Sequence, residues 1–483
     1  MRRTLRYRLH SPLAFALPLA VASLLAGVLF PSAASAEPLR VPEGTLVTDA
    51  EGRVIGEDLA LPELLSRALA GVAEQGRLRV MELPLAPGQR FSVELRRQDP
   101  WAPGARLWRI DGEGRSELPK SDLRHFLGRS DADPSWRVGL WLDPASGRLE
   151  GVTSGPTGSF GLLQTAEGHR LIRSEAAAPE ARQSCANAAD PGLGGALPET
   201  WIEAARAAAV ERPEPPRPLG VGAPATYQAV IALDTDNEFH HQKFGNDTNA
   251  ATAWIESLFT AMNVFYERDI DLHLVIGETF FRLDTDPSPT YDDDPFNVTG
   301  SPATISHLNE FGTYWANNQG GVDRVLAALL SGKSSSPFSA SGIAWVDGYC
   351  ETQNTGGGYS INQIFTGSVA VSNDARLVGH ELGHNFASSH THCYSPPIDT
   401  CWNLEGGCWA GGTSCPSEGS GTLMSYCHIG ACGTTNRSEF HPTVIDRLVL
   451  FRNAHYPGCV TDFQPADLIF NDGFESGNTT NWS

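Results

Sequence analysis

The chain is short of basic side chains. Its 483 residues hold 35 Lys and Arg against 56 Asp and Glu, a net charge of -21. That balance excludes a broad basic face for nucleic acid, so no nucleic-acid partner is expected. Long apolar runs are missing after Phe30, so no stable membrane insertion is expected once the first residues are removed. Methionine is scarce, with four in the whole chain. Cysteine is nearly absent from the first 349 residues, where Cys185 stands alone, and no C-x-x-C pair occurs. The missing C-x-x-C argues against a zinc knuckle and in favour of disulfides.

An export signal is expected at residues 1–36. Arg2, Arg3, Arg6 and Arg8 precede an apolar run from Leu13 to Phe30, and Ala34-Ser35-Ala36 is a small-residue cleavage site. The expected location is therefore extracellular. Eight of the nine cysteines lie after residue 349, an even and dense set that reads as disulfides in an exported protein. Eight cysteines allow 105 pairings.

Residues 37–218 are expected to form a β-rich pro-domain and linker. Phe91–Leu95, Arg106–Ile110 and Trp136–Leu140 alternate apolar and polar residues, with turn signals at Ala86-Pro87-Gly88 and Asp111-Gly112. A short helix is expected at Glu199–Val210, followed by the Pro-rich linker Glu211–Pro218. From Thr226 strands and helices interleave, which indicates an α/β domain over 219–462 with a mixed, mostly parallel sheet. Its expected elements are strands at Tyr227–Leu233, Ile270–Phe281, Val322–Leu330, Gly342–Val346 and Tyr359–Phe365. Helices are expected at Thr252–Tyr266, Ile305–Ala316 and Pro442–Asn453. Residues 463–483 are a Gly/Asn/Ser-rich tail.

The densest chemistry lies at His380-Glu381-Leu382-Gly383-His384. Helical residues four apart share a face, so His380 and His384 can offer two imidazole nitrogens to one metal ion. Glu381 sits beside them, able to hold and deprotonate a water on that metal; this is the H-E-x-x-H arrangement of zinc peptidases. A catalytic zinc keeps three protein ligands and one open position. His390 is the favoured third ligand, and its spacing requires the helix to stop near Ala387. Ser372, Asn373 and Asp374 are the candidate N-caps of that helix. Glu405, His392 and His428 are weaker alternatives for the third ligand, Glu405 because it lies in a loop pattern rather than a second helix.

The run Gly379–His390 resembles the metzincin signature H-E-x-x-H-x-x-G-x-x-H and looks most like its adamalysin (reprolysin) branch. Two departures stand out. The family has glycine where this chain has Ala387, and alanine in a left-handed turn costs roughly 1–2 kcal/mol. Thr391 replaces the aspartate that usually follows the third histidine. Thr422-Leu423-Met424-Ser425-Tyr426 resembles the metzincin Met-turn, with Met424 as the hydrophobic floor under the metal. Asp323–Gly332 and Gly342–Cys350 resemble the family's strands next to the substrate. The resemblance covers about 226–460.

What the resemblance implies is a secreted zinc endopeptidase made as a latent precursor. Zn2+ would be held by His380, His384 and His390. Glu381 would act as general base toward a water on that zinc. A protein or peptide substrate would lie extended along the 342–346 edge strand. Tyr426 matches a tyrosine that in other metzincin branches reaches the zinc or the oxyanion, and a purely structural role stays open beside that one. Cys185 admits two readings: a thiolate filling the zinc's open position, as in the cysteine switch of some metzincin precursors, or an unpaired cysteine in a discarded segment. The acidic residues Asp284, Asp286 and Asp292–Asp294 are a candidate Ca2+ site or a solvated loop. The alternative function is a catalytically inactive zinc-binding or adhesion module of the same fold.

Overall fold

The computed structural model describes residues 39–61, 63–74, 76–174, 184–185, 225–284, 294–334, 341–351, 356–367, 370–417, 420–429, 432 and 436–463. The expected signal segment, the helix at 199–210, the Pro-rich linker and the C-terminal tail lie outside them.

In chain order the strands are β1 (Leu39–Arg40), β2 (Thr45–Thr48), β3 (Val54–Leu59), β4 (Arg77–Ala86), β5 (Gln89–Gln98), β6 (Leu107–Asp111) and β7 (Gly114–Leu118). Then follow β8 (Arg124–Ser130), β9 (Arg137–Leu142), β10 (Leu149–Gly155), β11 (Gly158–Thr165), β12 (Gly168–Arg173) and β13 (Ser184–Cys185). The C-terminal half contributes β14 (Tyr227–Thr235), β15 (Leu272–Arg282), β16 (Leu326–Ser334), β17 (Ser341–Ala344), β18 (Tyr359–Phe365) and β19 (Thr461–Asp462). The helices are α1 (Glu63–Gly71), α2 (Thr248–Ile270), α3 (Ile305–Asn318), α4 (Val371–Asn385) and α5 (Pro442–His455).

Ten strands of the N-terminal half form one sheet, ordered β1-β4-β5-β8-β9-β10-β11-β12-β3-β2. Strand β9 shows how it is used. Val138, Leu140 and Leu142 enter the sheet's own core, while Trp141, on the opposite face, joins the core around α2. Period-two alternation thus serves two cores at once. The second sheet is mixed. Strands β14, β15, β16 and β18 run parallel, and β17 returns antiparallel to β18. Helix α3 packs Leu308, Phe311 and Trp315 on one face of it, whereas α2 and α4 cover the other.

The alternation at Arg106–Ile110 is realised as a strand, but in an unexpected place. Hairpin β6–β7 leaves the N-terminal sheet and pairs in parallel with β15. Helix α2 also differs from a simple amphipathic expectation. Ile255, Leu258, Phe259, Met262, Phe265 and Tyr266 are buried as their spacing implies, yet so are Glu256, Ser257, Thr260 and Glu267. The polar stripe is covered because a second layer, the N-terminal sheet, lies over it. Asp247 caps the helix by accepting from the backbone N–H groups of Asn249 and Ala250.

All eight cysteines after residue 349 are paired, as Cys350–Cys459, Cys393–Cys408, Cys401–Cys427 and Cys415–Cys432. Three of these bridges knit the irregular segment between the third histidine and the Met-turn region, where few strands or helices could hold the backbone.

Of the acidic stretch, Asp284 and Asp294 lie among the described residues and both are buried. Asp294 accepts hydrogen bonds from the backbone N–H groups of Asn237 (2.8 Å) and Phe296 (2.7 Å). Burial first, then the nearby Asp236, pushes its pKa up to about 7, and the same two causes push Glu238 up to about 8. Folded-state values above the unfolded ones mean that this corner stabilises fully below about pH 4, and that the contribution is lost as pH rises through 7–8. Asp294→Asn should therefore gain stability relative to the parent between pH 5 and 8, on the order of 2 kcal/mol. Urea unfolding at the two pH values measures it, and a pH-independent difference would contradict it.

Candidate metal centre

Helix α4 is shaped by two glycines one turn apart on the same face. A Cβ at Gly379 would lie 2.7 Å from Cζ of Phe265 on α2, and one at Gly383 would lie 2.7 Å from the sulfur of Met424. Along that face the helix can therefore lie close against α2 at Gly379 and against the Met424 turn at Gly383. Val378 and Leu382 are buried in the same core. The helix starts at Val371 with Ala370 as N-cap, so Ser372, Asn373 and Asp374 lie inside it rather than capping it. Asn373 N–H bonds back to the Ala370 carbonyl, so a turn of backbone does the work assigned to a side chain.

The helix ends where the histidine spacing demands. Ala387 has φ 79°, in the left-handed region. Its N–H reaches the His384 carbonyl (2.8 Å), and Ser388 N–H reaches Gly383 (3.0 Å). These two bonds form a Schellman motif with alanine at the position usually held by glycine. Arg447 donates to the Ala387 carbonyl, and Asn385 donates from its side chain to the carbonyls of Trp345 and Tyr359. Anchored this way, the turn tolerates the strain of an alanine there.

Reversal of the chain brings three imidazoles to one point. The Nε2 atoms of His380, His384 and His390 lie 3.1, 3.1 and 3.3 Å apart. Each ring is oriented through its other nitrogen. His380 Nδ1 meets the Leu423 carbonyl (2.7 Å), His384 Nδ1 the Ser388 carbonyl (2.7 Å), and His390 Nδ1 the Glu405 carboxylate (2.8 Å). With Nδ1 donating its proton, every Nε2 lone pair faces the shared centre. Burial, then the neighbouring His390, drives the pKa of His384 down to about 3. Burial takes His390 down to about 4 against the opposing pull of Glu405, and His380 falls well below its ordinary range for the same first reason. All three are neutral, as a metal ligand must be.

Met424 is fully buried beneath this centre, and its carbonyl accepts from Thr391 N–H (3.0 Å), so the Met-turn is stitched to the chain just after His390. The reprolysin family model (Reprolysin_5, Metallo-peptidase family M12) matches residues 225–440. Residues 225–440 are thus similar to the reprolysins of that metallopeptidase family. A search of the curated proteins finds no match.

The donor set of His380, His384 and His390 fits zinc. Tetrahedral Zn–N bonds of about 2.0–2.1 Å separate ligand nitrogens by about 3.3 Å, close to the spacing found. Two other groups of converging donors occur among the described residues, His390/His392/Cys393/Glu405 and Cys401/Cys427/Cys432. In both, the cysteines are committed to disulfides.

Glu405 is not gathered with the three Nε2 atoms. It stands behind them, accepting from His390 Nδ1 and from His392 Nε2, both at 2.8 Å. Burial raises its pKa, but these two histidines outweigh that and hold the carboxyl well below the usual carboxylate range. It does for His390 what backbone carbonyls do for His380 and His384. Its sequence signal was its place in the loop between Cys401 and Cys408, which carries no periodicity that would mark it. Glu405→Ala should weaken zinc affinity by about 10–100-fold with folding intact. Chelator competition reads this directly, and an unchanged affinity would remove Glu405 from the site.

Tyr426 is 5% exposed. Its ring packs on His390 with centroids 4.0 Å apart and lies 5.3 Å from His392 and 5.8 Å from Trp402. Glu381 is fully buried beside the edge strand. A Cβ at Gly342 would sit 2.3 Å from Glu381 Oε1 and 2.4 Å from its Cδ, so the bare backbone of β17 leaves the space that the carboxylate fills. Cys185 belongs to β13, which pairs with β17 in parallel, Ser184 opposite Ser341 and Cys185 opposite Gly342. The main chain of Cys185 thus pairs with the residue against which the Glu381 carboxylate rests.

Proposed function

We propose that the chain is a secreted zinc endopeptidase held latent until processed. The observation that carries this is the convergence of three neutral, oriented Nε2 atoms with Glu381 alongside. A zinc ion bound by His380, His384 and His390 would supply a Lewis acid that acidifies water and stabilises charge developing on a carbonyl oxygen. Glu381 takes the proton of the attacking water and delivers it to the leaving nitrogen. Met424 and Leu423 keep the floor and the His380 ring in position. Tyr426 packs against the His390 ring, and a hydrogen bond from its hydroxyl to the developing oxyanion is its catalytic alternative.

The substrate is a protein or peptide segment extended along β17 by strand addition. The same edge supports the reading of latency, because β13 occupies it. In this reading residues 1–36 are the export signal, 37–218 the pro-region and linker, and 219–462 the catalytic region. The four disulfides agree with an oxidising destination.

The position of Gly342 yields a specific expectation. Gly342→Ala forces Glu381 away from its seat, so kcat/KM should fall at least about 10²-fold with zinc content unchanged. Peptide hydrolysis beside metal analysis measures it, and a variant as active as the parent would separate Gly342 from the chemistry. The function as a whole is tested on the purified precursor. It should carry one zinc per chain and shorten with time by cuts within 186–224, while Glu381→Gln keeps its full mass. A metal-loaded precursor that cleaves neither itself nor any added peptide would sink the reading.

A further inference from the structure

The N-terminal region grips the metallopeptidase domain at two edges, and the grips are unequal. At the β17 edge the contact is β13, two residue pairs long. At the opposite edge residues 100–110 pair along most of β15. Ala102 N–H donates to the Ile276 carbonyl (2.8 Å), Ile276 N–H to Pro100 (2.8 Å), Thr279 N–H to Arg106 (3.0 Å) and Leu283 N–H to Ile110 (2.9 Å). Side chains close the seam. Glu278 accepts from Trp108 Nε1 and from Arg106 Nε (3.1 Å), and the Arg115 guanidinium lies 3.8 Å over the Trp108 ring.

Helix α2 is the second part of the strong grip. Glu256 is 2% exposed and accepts from Trp101 Nε1 (2.7 Å) and Ser121 N–H (3.1 Å). Thr260 meets His125 Nδ1 (2.8 Å). A Cβ on Gly139 would lie 3.0 Å from the Thr260 carbonyl, so sheet and helix are in backbone contact. Trp101, Leu107, Leu127, Trp141 and Val152 share one buried cluster with Ile255, Phe259, Val264 and Ile276. Removing the N-terminal region would expose that cluster, bare a long strand edge and strip the buried Glu256 of its donors.

We infer that residues 39–174 are not shed on processing: a cut in 186–224 frees the β13 grip and leaves the rest as a permanent wall of the catalytic unit. The mature protein is then two chains held without a covalent link, each the other's obligate partner. This rests on the reading of a processed precursor, but its test does not need activity.

The test uses the full chain with a site-specific protease sequence in place of residues 211–218, in the Glu381→Gln background so that self-cutting cannot intervene. After complete cutting, the two fragments should elute together at the mass of the uncut protein under native conditions and separate only in denaturant. Separate elution, with a monodisperse catalytic fragment, overturns the inference. Trp108→Ala should speed exchange of a labelled N-terminal fragment at least tenfold, and an unchanged exchange rate overturns the role given to the β6–β7 hairpin. Peptide hydrolysis by the Glu381 parent before and after the cut reports on latency alone. Activity that rises while the fragments part sinks the wall and spares latency; co-elution with no rise in activity does the reverse.

Discussion

Glu381→Gln should retain its zinc and lose about 10²–10⁴-fold in kcat/KM, equivalent to about 3–5 kcal/mol of transition-state stabilisation. The side chain is fully buried between α4 and the Gly342 backbone, and glutamine has nearly the same volume, so the packing survives. The ligands are untouched, because their Nδ1 atoms are held by Leu423, Ser388 and Glu405 and none of them by Glu381. What is lost is an oxygen that can take a proton at neutral pH. Zinc content near one per chain beside a collapsed rate is the expected pair of readings. A variant that turns over peptide at the parental rate would refute the general-base assignment, and one that loses zinc as well would make Glu381 a structural residue.

Removing the metal should abolish hydrolysis altogether and lower the thermal midpoint. Three imidazole nitrogens 3.1–3.3 Å apart repel one another when nothing lies between them. At free zinc 1,000-fold above its dissociation constant the bound ion contributes about 4.1 kcal/mol to stability. The effect has a defined pH dependence. The folded values of about 3 for His384 and about 4 for His390 lie below the ordinary value of about 6.5. Between these limits the unfolded chain binds protons that the folded chain refuses. Stability of the stripped protein is therefore fully present above about pH 6.5 and lost as pH falls toward 4. Thermal unfolding in chelator at pH 5 and pH 7.5, with and without added zinc, checks both parts. Equal midpoints in all four samples would mean that the three histidines hold no metal and titrate normally.

Much of the centre was legible in the sequence because its information is local. Two histidines four apart must share a helical face, and a third at a spacing of six must lie beyond a break, which falls at Ala387. The strands Tyr227–Thr235 and Tyr359–Phe365 and the helix Ile305–Asn318 are announced by their own periodicity. Glu405 reads from the sequence only as an alternative ligand, since a residue in a loop has no periodicity to reveal which histidine it will meet. The N-cap of α4, Ala370, lies two to four residues before the side chains that local propensity favours, because a backbone turn takes their place.

The sequence alone marks the three histidines, Glu381 among them, Met424 downstream and the even set of cysteines, since each depends on spacing within a few residues or on counting. Four things came from the tertiary structure alone: the disulfide partners, Glu405 behind His390, Gly342 against Glu381, and the N-terminal hairpin on β15. All four join residues at least 15 apart in the chain, beyond the reach of local periodicity. Loop closure over such distances adds little to the energy of any one pairing, so the choice among pairings is made by the packing of the whole.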